Sequence, residues 1–263
     1  MVIKNNILSV TLICAVLLGG CSGSPLVRYP TFLEKKKELK SVSLLEECLI
    51  LDAMSTDTSL VNLIENKKLA RTCLDYYAST MQEKGYTLTN SLITSIGLIA
   101  ERDRKYKVIT LPPDKELPDR EIPEGYPPFY LNDTFKKDTL HEQLLRVVYR
   151  RIVGYEKPED DSSRYLRTST FLGKLFGSDC FAFLFVGGYN VHASQQYGQL
   201  RNPLTTPYEK VSYESITQVT MLFYIVDSRT GEIIWDDHIS MRGGLIYKEK
   251  LLKMAKIILE RLP

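Results

Sequence analysis

The sequence is poor in the residues from which most catalytic centres are built. Three histidines and five cysteines occur in 263 residues, too few and too scattered for a zinc module or a disulfide-stapled scaffold. Net charge is also missing. The 34 Lys and Arg residues face 32 Asp and Glu, a formal +2, which argues against a protein that works by neutralising nucleic-acid phosphates. No G-x-S-x-G elbow, Gly-rich phosphate loop or H-E-x-x-H helix is present, so the usual hydrolase, nucleotide and zinc-protease signatures are absent. After residue 20 no apolar run is long enough to cross a bilayer. What remains is an ordinary packed composition, 44% hydrophobic and 25% charged, of a length that allows one large domain or two small ones.

The amino terminus carries the strongest signal. Lys4 precedes the twelve-residue apolar core Ile7 to Leu18, and Leu18-Gly19-Gly20-Cys21 follows at once. The core is short for a membrane span, and the small residues Gly19 and Gly20 suit a signal peptidase, so cleavage between Gly20 and Cys21 is expected. The segment resembles bacterial lipoprotein signals. That resemblance implies a diacylglyceryl thioether on Cys21 and a further acyl chain on its amino group, at about 0.8 kcal/mol per buried CH₂ enough for stable anchoring. Ser22, rather than Asp, then implies sorting to the outer membrane, or simply the outer face of the cell membrane in an organism with one membrane. Removing residues 1–20 takes away only Lys4 and leaves 33 basic against 32 acidic residues. Cys48, Cys73 and Cys180 then remain, an odd set that reads as buried small residues and permits at most one bridge.

Residues 21–40 read as a lipidated tether ending in the Lys35, Lys36, Lys37 and Lys40 cluster, interleaved with Glu34 and Glu38. Residues 41–263 read as a single α/β domain. Ser41 to Leu51 is strand-like, Ser55 to Ser59 offers helix N-caps, and Leu63, Ala70, Leu74, Tyr77 and Met81 share one helix face that ends at Gly85. Tyr86 to Ile99 returns as a strand, completing a β-α-β opening. A proline-rich insertion, 108–130, holds six prolines and five acidic residues between Leu111 and Pro128. It reads as a surface loop or a partner-binding strap. Asp133 or Thr134 could cap a helix with the stripe Leu140, Leu144, Val148 and Ile152, and Tyr165 to Phe176 could form another.

Cys180 to Val186 is a continuous apolar run, expected to form a central strand covered on both faces and stopped by Gly187-Gly188. Tyr189 to Lys210 then reads as a long polar loop. Ser212 to Val226 and Glu232 to Met241 form a hairpin about Asp227–Gly231, with Ile233, Trp235, Ile239 and Met241 on one face. Leu251, Ala255, Ile258 and Leu262 mark a closing helix. The expected fold is therefore α/β (α+β): a mixed β-sheet with a long C-terminal hairpin, helices packed on it and a C-terminal helix.

Two stretches, Leu175 to Phe183 and Val226 to Trp235, together with the lipobox and the order of elements, resemble lipoproteins whose domain is like the amino-terminal domain of TolB. That grouping includes curli-secretion, exopolysaccharide-export and penicillin-binding-protein-activator lipoproteins. The resemblance implies an assembly or binding role, with homo-oligomerisation in some members, and no catalytic residues to carry over.

The residues themselves offer little chemistry. Asp236 and His238 could share a ligand because strand neighbours alternate between faces, but no second histidine or cysteine lies near them in sequence. Cys180 with His192 could imitate a thiol and base, although a thiol at the start of an apolar strand is ordinarily inert. No catalytic, metal or cofactor site is expected. The remaining candidates are Tyr189, His192, Gln195, Gln196, Tyr197 and Arg201, a mixture suited to recognising a protein or glycan. The expected function is a lipid-anchored, non-enzymatic adaptor or subunit of an envelope export or cell-wall complex, held to the membrane through Cys21 and contacting envelope proteins. The alternative is a small-ligand-binding or hydrolytic lipoprotein with its site at the strand ends near Gly187-Gly188 and Asp236.

Overall fold

A computed structural model describes residues 32–53, 58–98, 100, 105–110, 124–136, 170–191 and 217–263. The chain begins there with a short helix, α1 (Phe32–Lys36), and continues through β1 (Ser41–Ala53), β2 (Thr58–Asn62), α2 (Leu63–Glu83), β3 (Thr87–Ile96), β4 (Lys105–Ile109) and β5 (Tyr130–Leu131). A single 3-10 turn (Asp133–Phe135) precedes α3 (Thr170–Phe176), β6 (Cys180–Val191), β7 (Gln218–Asp227), β8 (Ile233–Arg242) and α4 (Lys248–Arg261). All eight strands join one mixed sheet, so the α/β class read from the sequence is the observed one.

β1 and β6 form the centre, parallel and in register from Val42 beside Cys180 to Ala53 beside Val191. β6, β7 and β8 form an antiparallel meander. The other edge of β1 is shared: β3 pairs with it in parallel from Ser41 to Cys48, and β2 pairs antiparallel at Asp52 and Ala53. β4 then runs parallel to β2.

The run CFAFLFV behaves as a strand covered twice. Cys180, Ala182, Leu184 and Val186 face a core built with α1, α2 and α4, while Phe181, Phe183 and Phe185 face a second core with Leu172 of α3 and Phe135. Each buried aliphatic or aromatic side chain contributes roughly 1.5–3 kcal/mol by leaving water. Helix α2 presents Leu69, Ala70, Cys73, Leu74, Tyr77 and Met81 to the first core. It ends as the glycine predicted: Gly85 takes φ 88°, so that Tyr86 N–H can reach the Met81 carbonyl and Gly85 N–H the Gln82 carbonyl.

Several boundaries differ from the sequence reading. Thr58–Asn62 is strand rather than helix start, because Ser59 and Val61 point inward beside β1, and the cap of α2 is Asn62, whose Oδ1 accepts from Glu65 N–H at 3.0 Å. Val108 and Ile109, assigned to the proline-rich insertion, belong to β4, where Tyr106 and Val108 alternate inward; Tyr130 belongs to β5. Asn132 caps the 3-10 turn Asp133–Phe135, accepting from Thr134 N–H, while the helix expected to start at Asp133 or Thr134 lies outside the described residues. The stripe Leu140 to Ile152 lies outside the described residues, as do 1–31, 111–123 and 192–216. Ile233 faces the second core, away from Trp235, because the β7–β8 register shifts between Ile225 and Val226 and inserts Ile234.

Candidate functional site

The two ends of the sheet have different characters. At the end where β1 and β6 begin, six chain segments are fastened together. Phe32 packs its ring 5.2 Å from that of Trp235, and Lys35 pairs with the buried Glu232 and lies 3.7 Å from Asp227. Asp179 Oδ2 accepts from Lys40 N–H at 3.1 Å, Ser41 N–H at 2.9 Å and the Ser41 hydroxyl at 2.8 Å. The Ser41 hydroxyl bond, ahead of these backbone bonds, holds the Asp179 carboxyl below its ordinary range. Lys36 Nζ donates to the Pro263 main-chain oxygen at 2.7 Å, and Lys84 Nζ to the Leu262 carbonyl at 2.6 Å. Burial first, and then the charge of Lys84, lower the Lys36 pKa.

At the opposite end, where β1 and β6 finish, the glycine pair does not stop the strand. Gly187 and Gly188 pair with Leu49 and Ile50 on one side and with Thr220 and Val219 on the other. A Cβ on Gly188 would stand 2.6 Å from the Gln218 carbonyl oxygen and 2.9 Å from both Val219 Cα and Ile246 Cδ1. The glycine is required by close packing against the β7 backbone and Ile246. Asn190 completes this end: its Nδ2 donates to Asp52 Oδ1 at 3.0 Å and its Oδ1 accepts from Ile246 N–H at 2.8 Å. Tyr189, Leu245 and Tyr247 stay 40%, 45% and 54% exposed.

Buried titratable groups lie between the ends. Glu46 is fully buried in β1, and neither carboxylate oxygen has a hydrogen-bond partner. Loss of solvent, and then the neighbouring Glu47, push its pKa well above the carboxylate range, favouring its neutral form. Glu47, on the opposite face, accepts from Leu98 N–H at 2.7 Å and from the Ser95 hydroxyl. Cys48, Cys73 and Cys180 are free and buried, and loss of solvent raises all three thiols. Such thiols are poor nucleophiles.

No family model matches the sequence, and no curated protein matches it. Among solved structures, the chain is similar to lipoprotein GNA1162 from Neisseria meningitidis. Identity is 12%, over 84% of this chain and 97% of that one, with a TM-score of 0.28.

The predicted site residues divide sharply. Gly20 and Cys21 lie outside the described residues, as do His192, Gln195, Gln196, Tyr197 and Arg201. Tyr189 is described, and it lies in β6 rather than in a loop because β6 continues to Val191. Asp236 and His238 do fall on one face of β8, whereas Asp237 points to the other and is bound by Arg261 at 3.1 Å. Among the described residues no three His, Cys, Asp or Glu side chains converge as a metal site, and no helix is long and apolar enough to cross a membrane. The residues missed from the sequence are Asn66, Asp179 and Asn190, which bond to backbone or side-chain groups distant in sequence. Asn66 did leave a trace, being a polar residue four positions before Ala70 on the buried face of α2.

Proposed function

We propose that this protein is a bacterial envelope lipoprotein, anchored through acyl chains on Cys21, that works as a non-enzymatic adaptor or subunit of an export or cell-wall assembly. The observation that carries the reading is the sequence Leu18-Gly19-Gly20-Cys21 behind a short apolar core and Lys4. The likeness of Leu175 to Phe183 and Val226 to Trp235 to the TolB-like lipoproteins supports an assembly role, and Ser22 supports the outer membrane as its location. The three buried thiols, raised by loss of solvent, support a reading in which none of these cysteines serves as a nucleophile.

Tyr189 and the residues His192, Gln195, Gln196, Tyr197 and Arg201 that follow it are the proposed partner-contacting stretch. Crosslinking in the cells that make the lipidated protein, followed by capture, tests the reading. A reproducible envelope partner, or a ladder of self-crosslinks, is expected. A folded protein that returns alone would overturn the assembly role, and unchanged membrane fractionation of Cys21→Ser would overturn the anchor.

A further inference from the structure

We propose that the end of the sheet where β1 and β6 begin is a lipid-docking face, resting on the phospholipid headgroups of the membrane that holds the acyl chains. The inference rests on the lipoprotein reading above and adds an orientation to it. Three observations carry it.

The first is the way the chain enters. Only residues 22–31 separate Cys21 from α1, a reach of at most roughly 3.5 Å per residue. α1 is not a loose continuation of that tether. Phe32 is buried against Trp235, Lys35 is paired with Glu232, and Asp179 holds Lys40 and Ser41. A tether gripped on both sides of α1 keeps this end of the domain nearest the anchor.

The second is the apolar exposure at the same end. Leu33 on α1 is 63% exposed and Leu175 in the last turn of α3 is 40% exposed. α1 packs with the first core and α3 with the second, so the two leucines stand on opposite sides of the sheet. Leu175 follows Lys174 and Leu33 stands within one turn of Lys36 and Lys37; an exposed leucine with lysine close by suits a surface that settles into the headgroup region.

The third is the state of the charges. Lys36, Lys37, Lys40, Lys84 and Lys174 pair with no Asp or Glu among the described residues. The carboxylates around them are largely engaged: Glu38 with Arg229, Asp227 and Glu232 with Lys35, and Asp179 with Ser41 and Lys40. Glu34 and Glu83 are the exceptions. Lys36 Nζ meets the Pro263 main-chain oxygen and lies 5.0 Å over the Tyr86 ring, and Lys84 Nζ meets the Leu262 carbonyl. An anionic headgroup phosphate is a partner that Lys37, Lys40 and Lys174, without a carboxylate among the described residues, can take.

The test uses the lipidated full-length protein in vesicles of phosphatidylcholine, with and without phosphatidylglycerol, carrying a headgroup quencher. A fluorophore is attached through Leu33→Cys, Leu175→Cys or, at the far end, Tyr247→Cys; the native described cysteines are buried and do not compete. Strong quenching at positions 33 and 175, weak quenching at 247, and an increase when phosphatidylglycerol is present are expected. Adding Lys37→Glu, Lys40→Glu and Lys174→Glu should cut quenching at 33 and 175 by about fivefold or more while the protein stays with the vesicles. Equal quenching at all three positions of a vesicle-bound protein would overturn the docking face and leave the anchor standing. A protein that does not sediment with vesicles at all would overturn both. Should the triple variant not fold, the response of the unaltered lysines to phosphatidylglycerol decides the question alone.

Discussion

Asn66 closes the backbone of Ile50 from both sides. Its Oδ1 accepts from Ile50 N–H at 2.6 Å and its Nδ2 donates to the Ile50 carbonyl at 2.9 Å. The contact falls where β1 changes partner. Pairing with β3 ends at Cys48, and pairing with β2 begins at Asp52, so the Ile50 peptide groups on that edge have no strand beside them. A helix side chain supplies the missing donor and acceptor.

Asn66→Ala should therefore cost more than an ordinary helix substitution. It leaves two buried backbone groups unsatisfied at roughly 1–3 kcal/mol each, against a small gain in helix propensity. A loss of about 3 kcal/mol is expected in denaturant unfolding. Asn66→Asp, which keeps an acceptor and loses the donor, should not restore it. A loss below about 0.5 kcal/mol for Asn66→Ala would show that water replaces the amide and that the gap is not dry.

Glu46 gives a pH signature whose direction is fixed. Its native pKa is raised, by burial first and Glu47 second, so the folded state keeps a proton that the unfolded chain loses above about pH 4.3. The protein should lose stability relative to Glu46→Gln as pH rises from there, at about 1.4 kcal/mol per pH unit, levelling once the native group ionises. Near pH 4 the two should unfold alike, since both are then neutral. Parallel stability curves from pH 4 to neutrality would show that Glu46 is charged in the native state.

The pattern explains which features were legible in advance. Elements with one strong period were read correctly: Leu251, Ala255, Ile258 and Leu262 of α4, Ala70, Leu74, Tyr77 and Met81 of α2, and the doubly covered CFAFLFV of β6. Short strands were missed where polar residues hid the alternation, as in Lys105–Ile109, where the half-buried Lys107 separates Tyr106 from Val108. Gly188 was misread because glycine marks both a turn and a close approach, and only the neighbouring strand distinguishes them. The bonds of Asp179 and Asn190 join residues 139 and 56 positions apart, a relationship absent from any local window. The lipobox needs no tertiary context, which is why the candidate anchor was readable and the partner was not.

Gly188→Ala tests the close approach directly. Two of the three atoms a Cβ would meet are backbone, the Gln218 carbonyl oxygen at 2.6 Å and Val219 Cα at 2.9 Å. Overpacking of this kind costs about 1–3 kcal/mol, because strands cannot part without breaking their ladder. The loss should persist in the double variant with Ile246→Val, which removes the only flexible side chain from the contact. Full recovery of the melting temperature in that double variant would assign the clash to Ile246 instead.

Lys35 offers a cycle that separates the pair from its burial. Glu232 and Asp227 are almost fully buried, and Lys35, itself only partly covered, stands between them and solvent. Lys35→Ala leaves the carboxylates without that cation and releases α1 from the β7–β8 turn; about 2–3 kcal/mol should be lost. Removing the charge on both sides, with Lys35→Met and Glu232→Gln together, deletes a buried charge that has lost this cation and should recover part of that loss. Each protein is measured by denaturant unfolding in low and in high salt. A shielded pair predicts a coupling energy that changes little with salt, whereas an exposed one fades as ions screen it. Additive effects of the two substitutions would mean that Phe32 against Trp235, and not the ion pair, fastens α1 to the sheet.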